Sequence, residues 1–220
     1  MRKLVLGLFL ACLPVLAAQE SAKHASHAQA PGDISGRLQD NVYRNSFFGF
    51  TYKLPIGWVD RTDDMRADAE PAPDDADKPR QAKPSAKSLV LLSTFERPPE
   101  ATGETINSAV VIAAEPVSAY PGLMDAENYF GPLTELARSR SLDIVKPPYE
   151  FHIGTRLLMR GDFSKAVGKL TMYQSSLVMM QKSYVVSFTF IGGSEDEVGE
   201  LVQGLSFDGS DKSTTSPRKP

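Results

Sequence analysis

Two segments of this chain, residues 88–96 (SLVLLSTFE) and 106–114 (INSAVVIAA), are apolar at nearly every position. Strands of that kind lose their polar alternation only when both faces are shielded from water. Residues 183–191 extend the demand. Tyr184, Val186, Phe188 and Phe190 share one face there, and Val185, Ser187, Thr189 and Ile191 share the other. A sheet with two buried faces needs a layer of structure on each side. The one cysteine, Cys12, lies in an apolar N-terminal run, so packing rather than a disulfide has to hold those layers together.

Other elements follow from local pattern. Over residues 42–54, Phe48, Phe50, Tyr52 and Leu54 alternate with small or polar residues and predict one strand. Pro55-Ile56-Gly57 then turns the chain ahead of Trp58, whose large apolar ring suits a core anchor. Residues 61–87 are rich in Pro, Ala and charge, acidic first and basic afterwards, and read as a long mobile surface loop. Its carboxylates lack the central Gly and terminal Glu of a calcium loop. Residues 125–139 have helical composition, with Tyr129, Leu133, Leu136 and Ala137 on one face and Pro132 either kinking the helix or starting a second one.

Strands are predicted at 153–163 and 169–180, and the latter joins 183–191 through a hairpin near Gln181-Lys182. The closing helix is signalled by Ser194 and Glu197 in a capping box and by a stripe of Val198, Leu201, Val202 and Leu205. The sum is an α+β fold: an α/β/α sandwich with one mainly antiparallel sheet and two helices packed on it, formed by a single domain over 41–208.

The chain's ends speak to compartment. Arg2 and Lys3, an apolar stretch from Leu4 to Leu16 and the small residues Ala17 and Ala18 compose a cleavable signal peptide over 1–18, too short to span a bilayer. Phe9-Leu10-Ala11-Cys12 has the form of a lipoprotein box, which would instead place a lipid anchor on Cys12. Residues 19–40 read as a flexible tether and 209–220 as a disordered tail. Loss of Arg2 and Lys3 takes the formal charge from -3 to -5 and leaves no basic stripe, which argues against nucleic acid as a partner. The implied location is periplasmic or extracellular.

Catalytic chemistry is thinly provided. Of three histidines, His24 and His27 fall in the tether, and His152 is the sole candidate base in the folded part. Gln174-Ser175-Ser176 lies inside a strand, without the Gly-flanked elbow that exposes a nucleophile. Gly192-Gly193 precedes a helix, but no phosphate-binding motif surrounds it, and turn plus cap accounts for both. Met159, Met172, Met179 and Met180, with Phe163 and Tyr173, either fill the core or line an adaptable groove for lipid or peptide. No catalytic residue, cofactor or metal ligand is assigned.

The run Tyr43-Arg44-Asn45-Ser46-Phe47-Phe48-Gly49-Phe50, continuing to Pro55 and Trp58, resembles the opening Y-x-N-x-x-x-G-F and P-x-x-W of PsbP-like and DcrB-like exported proteins. Their closing strand, turn, helix and terminal S-F are similar to residues 184–207, which end in Ser206-Phe207. The resemblance implies an α/β/α sandwich and a mostly non-enzymatic accessory or assembly role. The expected function is a non-catalytic extracytoplasmic binding or accessory module with an envelope protein partner. A lipid-like carrier, or an envelope hydrolase using His152, is the alternative. The leader predicts that N-terminal sequencing of chain secreted by its host starts at Ala18 or Gln19. A start at a lipidated Cys12 would establish the anchor instead, and an intact Met1 in the cytosol would overturn export.

Overall fold

The computed structural model describes residues 33–69, 88–101 and 103–207. The leader with Cys12, the tether histidines His24 and His27, and the tail 209–220 lie outside those residues. In chain order the elements are β1 (Arg37–Gln39), β2 (Val42–Asn45), β3 (Phe50–Lys53), β4 (Val59–Asp60), α1 (Thr62–Ala69), β5 (Leu89–Phe95) and β6 (Ala109–Pro116). There follow a 3-10 turn (Val117–Ala119), α2 (Ala126–Ser139), β7 (Asp143–Ile153), β8 (Arg156–Val167), β9 (Leu170–Gln181), β10 (Tyr184–Gly192), α3 (Glu195–Gln203) and β11 (Leu205–Phe207). The strands make two antiparallel sheets: four strands in the order β1-β2-β3-β11, and seven in the order β4-β5-β6-β10-β9-β8-β7. The expected sandwich of one sheet and two helices is therefore corrected to two sheets and three α-helices among the described residues.

The second sheet arises because the apolar run over 42–54 is not one strand. Asn45 is buried and builds a turn: its Oδ1 accepts the Phe48 N–H at 2.9 Å, its carbonyl accepts the Gly49 N–H at 2.8 Å, and its amide donates to the Ile34 carbonyl at 2.9 Å. β2 and β3 consequently pair with each other, and Phe48 enters the core from the turn. Alternation alone cannot reveal a turn whose residues are themselves apolar. At the other end, Leu205 leaves the expected helix stripe and begins β11, which pairs with β3. Gly204 permits the change of direction, because a Cβ there would stand 2.7 Å from the Lys53 carbonyl oxygen.

β10 sits at the centre of the large sheet and buries both faces, as its sequence demands. On one face Val186, Phe188 and Phe190 join Leu177, Met179, Val110 and Ile112, and pack against Phe50, Tyr52 and Phe207 of the small sheet and Leu201 and Val202 of α3. Phe50 and Phe188 meet edge to face at 5.0 Å. On the opposite face Val185 and Val178 pack under Tyr129 and Phe130 of α2. The β9–β10 hairpin turns at Lys182 and Ser183, both with positive φ (50° and 64°), the conformation of a type I′ turn.

The capping box at α3 forms with one change. Ser194 accepts the Glu197 N–H at 3.1 Å, but the Glu197 carboxylate accepts from the Gly193 N–H at 2.8 Å and from the Ser108 hydroxyl. Helix α2 starts at an Asp125 cap and continues through Pro132, which is exposed, rather than dividing there. Trp58 is half-buried against the main core.

Three segments contradict the pattern reading. Arg37–Gln39, in the stretch expected to be a tether, pairs as β1. Asp143–Ile153 is a strand despite Pro147 and Pro148, and its place at the sheet's edge explains the tolerance, since an edge strand needs only half its ladder. The ladder shifts register on either side of Lys146, in the Ile144–Tyr149 stretch that holds both prolines.

The third is Thr62–Ala69, expected as loop but folded as α1 against β5. β4 pairs only with Thr94 and Phe95, so the rest of that edge needs another cover. The Arg61 N–H donates to the Ser93 carbonyl at 2.8 Å, Thr62 Oγ1 accepts the Ser93 N–H at 3.0 Å, and Arg66 donates to the Val90 and Leu91 carbonyls at 2.7 and 3.2 Å. Side chains thus take the place of a missing strand and blunt an open edge. Such a helix carries no apolar stripe, which is why its sequence resembles a loop.

The contact of α2 with the sheet depends on Gly161 of β8. A Cβ there would lie 2.7 Å from Cε1 of Phe130, a buried ring. Gly161→Ala is expected to lower unfolding free energy by about 1–3 kcal/mol in a denaturant titration. Combined with Phe130→Leu, the double variant should lose less than the sum of the single losses.

Candidate functional site

Where β7, β8 and β9 run past the small sheet, the inner face of the large sheet turns polar. Asp162 of β8 lies opposite Ser175 of β9, and Arg160 lies opposite Tyr149 of β7, so all four side chains share one face by register. Arg160 Nε donates to Asp162 Oδ1 at 2.9 Å, and Nη2 donates to Ser175 Oγ at 2.9 Å. The Ser175 hydroxyl donates to Asp162 Oδ1, and the Tyr149 hydroxyl donates to Asp162 Oδ2 at 3.0 Å. The Arg160 guanidinium also stands over the Phe151 ring, 4.9 Å from its centre. Arg160 and Asp162 side chains are only 16% and 13% exposed, so the pair is largely desolvated and held by several directed bonds.

This network floors a cavity of about 170 Å³. Tyr173 and Val198 give it apolar wall, Lys146 stands on the β7 side, and Glu195 and Asp196 on the first turn of α3 line it from the helix side. Burial, reinforced by the hydrogen bond to Asp162, pushes the Tyr149 hydroxyl up to about 12. It stays protonated at physiological pH and acts as a donor.

Among the described residues, no histidine stands beside Ser175, whose hydroxyl donates to the Asp162 carboxylate. His152 is exposed on β7 and pairs across to Leu157, one position out of phase with Phe151, so it lies on the opposite face from Ser175 and Asp162. The sheet itself separates them. Ser175 and Ser176 point to opposite faces, and Ser176 lies across from Gly161. Gly192 is buried beside Glu197, and Gly193 donates to the same carboxylate, so these glycines belong to the helix cap.

Of the two readings of the methionines, core filling holds, and they form no single groove. Met179 and Tyr173 pack on the inner face, while Met159 and Met180 lie under α2, and Met172 packs with Phe163 and Ala137 near that helix's end. Strand alternation divides them, and they fill separate cores. No set of three His, Cys, Asp or Glu side chains placed to hold a metal occurs among the described residues. None of their helices is long and apolar enough to cross a membrane.

No protein-family model matches the chain, and no curated protein matches it. Similar solved structures include the cyanobacterial PsbP of Synechocystis, with 11% identity and a TM-score of 0.42 over 83% of this chain and 98% of that one. The Ran-binding protein Mog1p of Saccharomyces cerevisiae has 11% identity and a TM-score of 0.39 over 76% and 85%. LpqN of Mycobacterium tuberculosis, involved in cell envelope biogenesis, has 10% identity and a TM-score of 0.35 over 71% and 82%. Likenesses this distant leave the site to be judged on its own geometry.

A second polar cluster lies on the opposite face of the sheet. Glu115 at the end of β6 accepts a hydrogen bond from the Tyr120 hydroxyl, with Ser88 and Tyr129 hydroxyls also at its carboxylate. Burial holds the Glu115 carboxyl above its ordinary value of 4.5, and those hydroxyl bonds only partly offset it. The folded chain therefore binds this proton more tightly than the unfolded chain. The stabilisation is complete below pH 4.5 and fades as pH rises through the elevated value. Glu115→Gln should remove that decline, so that thermal melts from acid to neutral pH show a smaller loss of stability than the native chain.

Proposed function

We propose that the chain is a non-catalytic extracytoplasmic binding or accessory module that acts through a protein partner in the cell envelope. The supporting observation is the condition of Ser175, the serine on the floor of the cavity. Its hydroxyl is committed to Asp162 and accepts from Arg160, with no histidine of the described residues on that face. A serine held between Asp162 and Arg160, without an imidazole beside it, favours a rigid wall over a Ser-His nucleophile pair.

The carrier alternative meets two obstacles. The methionines are split between cores, and the cavity is charged and too small for an acyl chain. The hydrolase alternative would require His152 to work alone on the outer edge of the sheet.

In situ crosslinking in the native host is expected to give one discrete complex with an envelope protein, unchanged by His152→Ala. A hydrolytic activity that disappears in His152→Ala would overturn the reading, as would recovery of the chain only as free monomer.

A further inference from the structure

We infer that the cavity beneath α3 binds a small zwitterion of the amino-acid class. The inference rests on the binding-module reading and assigns that module a ligand.

Size sets the first bound. At about 170 Å³ the cavity is larger than a single-water void, yet below the ~300–1,000 Å³ of pockets that take drug-sized ligands. A molecule of a few non-hydrogen atoms fits, whereas a nucleotide or an acyl chain does not.

Charge sets the second. Arg160 and Lys146 approach from the strands, and Glu195 and Asp196 approach from the helix. Arg160 commits its Nε–H to Asp162 and one Nη2 hydrogen to Ser175, which leaves the second Nη2 hydrogen and both on Nη1 for a ligand. The Asp162 carboxylate accepts from Arg160, Ser175 and Tyr149, two bonds on Oδ1 and one on Oδ2, and its charge is paired with Arg160. Arg160 and Asp162 balance each other. Among the described residues, the unpaired charge is therefore cationic at Lys146 on the strand wall and anionic at Glu195 and Asp196 on the helix wall, with the remaining Arg160 N–H groups as donors beside Lys146. A simple anion would meet Glu195 and Asp196, and a simple cation would meet Lys146 and Arg160. A ligand carrying a carboxylate and an ammonium satisfies both walls together.

The floor is also set in advance of binding. Arg160 is fixed by two hydrogen bonds and by stacking on Phe151, so it loses little rotamer freedom when a carboxylate arrives. Tyr173 adds a half-buried ring to the wall, suited to the short apolar part of such a molecule.

The test is a titration of the full isotope-labelled chain, followed by amide NMR, with glycine, acetate and methylammonium as probes. Glycine is expected to shift the Tyr173, Ser175 and Asp196 amides saturably, with acetate and methylammonium each at least about tenfold weaker. Glu195→Gln combined with Asp196→Asn alters two exposed side chains and keeps the Ser194 cap. It should reduce glycine to the level of acetate, and Lys146→Gln should weaken glycine while leaving methylammonium unchanged. Acetate or methylammonium binding as well as glycine would overturn the assignment, as would an unresponsive cavity or a double variant that binds glycine normally. Consumption of glycine during the titration would count instead against the non-catalytic reading. An intact envelope complex alongside an unresponsive cavity would remove the zwitterion site alone.

Discussion

The double-sided burial of β10 is the condition on which the rest of the structure depends. Val186, Phe188 and Phe190 are fully buried on one face and Val185 on the other, and each apolar side chain removed from water stabilises the fold by about 1.5–3 kcal/mol. Neither face can be left open. The four-stranded sheet and α3 cover the inner face, and α2 covers the outer one. The small sheet is built from both ends of the folded region, β1 to β3 and β11. Closure of the inner core therefore requires both α3 and the pairing of β11 with β3, contacts between segments far apart in sequence.

What could be seen in the amino acids divides along physical lines. The hairpin of β9 and β10, the buried strands β5 and β6 and the cap of α3 all carry signals within a short window, and they form where those signals lie. The features that escaped depend on contacts outside the window. The Asn45 amide ties its local turn to Ile34, β11 exists because β3 is there to pair with, and β7 tolerates two prolines as the edge of the sheet among the described residues. Helix α1 is the extreme case, since its role is to offer Thr62 and Arg66 to the edge of β5 rather than to bury an apolar stripe. Composition alone cannot separate such a helix from a loop.

The polar site was legible only in fragments. Ser175 stood out as a serine within a strand, and Tyr173 as part of an apolar set, but nothing marked Arg160 and Asp162 as a pair. Their i, i+2 spacing on one strand face is common, and the partners that make it significant, Tyr149 and Ser175, come from the two flanking strands. Tyr149 lies in the segment whose prolines concealed a strand. The assembly of this site is thus a consequence of register, which is set by the hairpins and bulges joining β7, β8 and β9.

Stability does not account for such a network. The same inner face is apolar a few residues away, where Leu158 and Leu177 are fully buried. Aliphatic side chains in place of Arg160 and Asp162 would extend that core at little or no cost, because the desolvation of a largely buried ion pair offsets most of its attraction. The pair instead rigidifies a charged floor at the place where the small sheet ends and α3 leaves a gap. A fold that needed only to be sealed would have closed this corner with leucine. That it is lined with directed, interlinked polar groups makes it the part of the inner face least explained by folding.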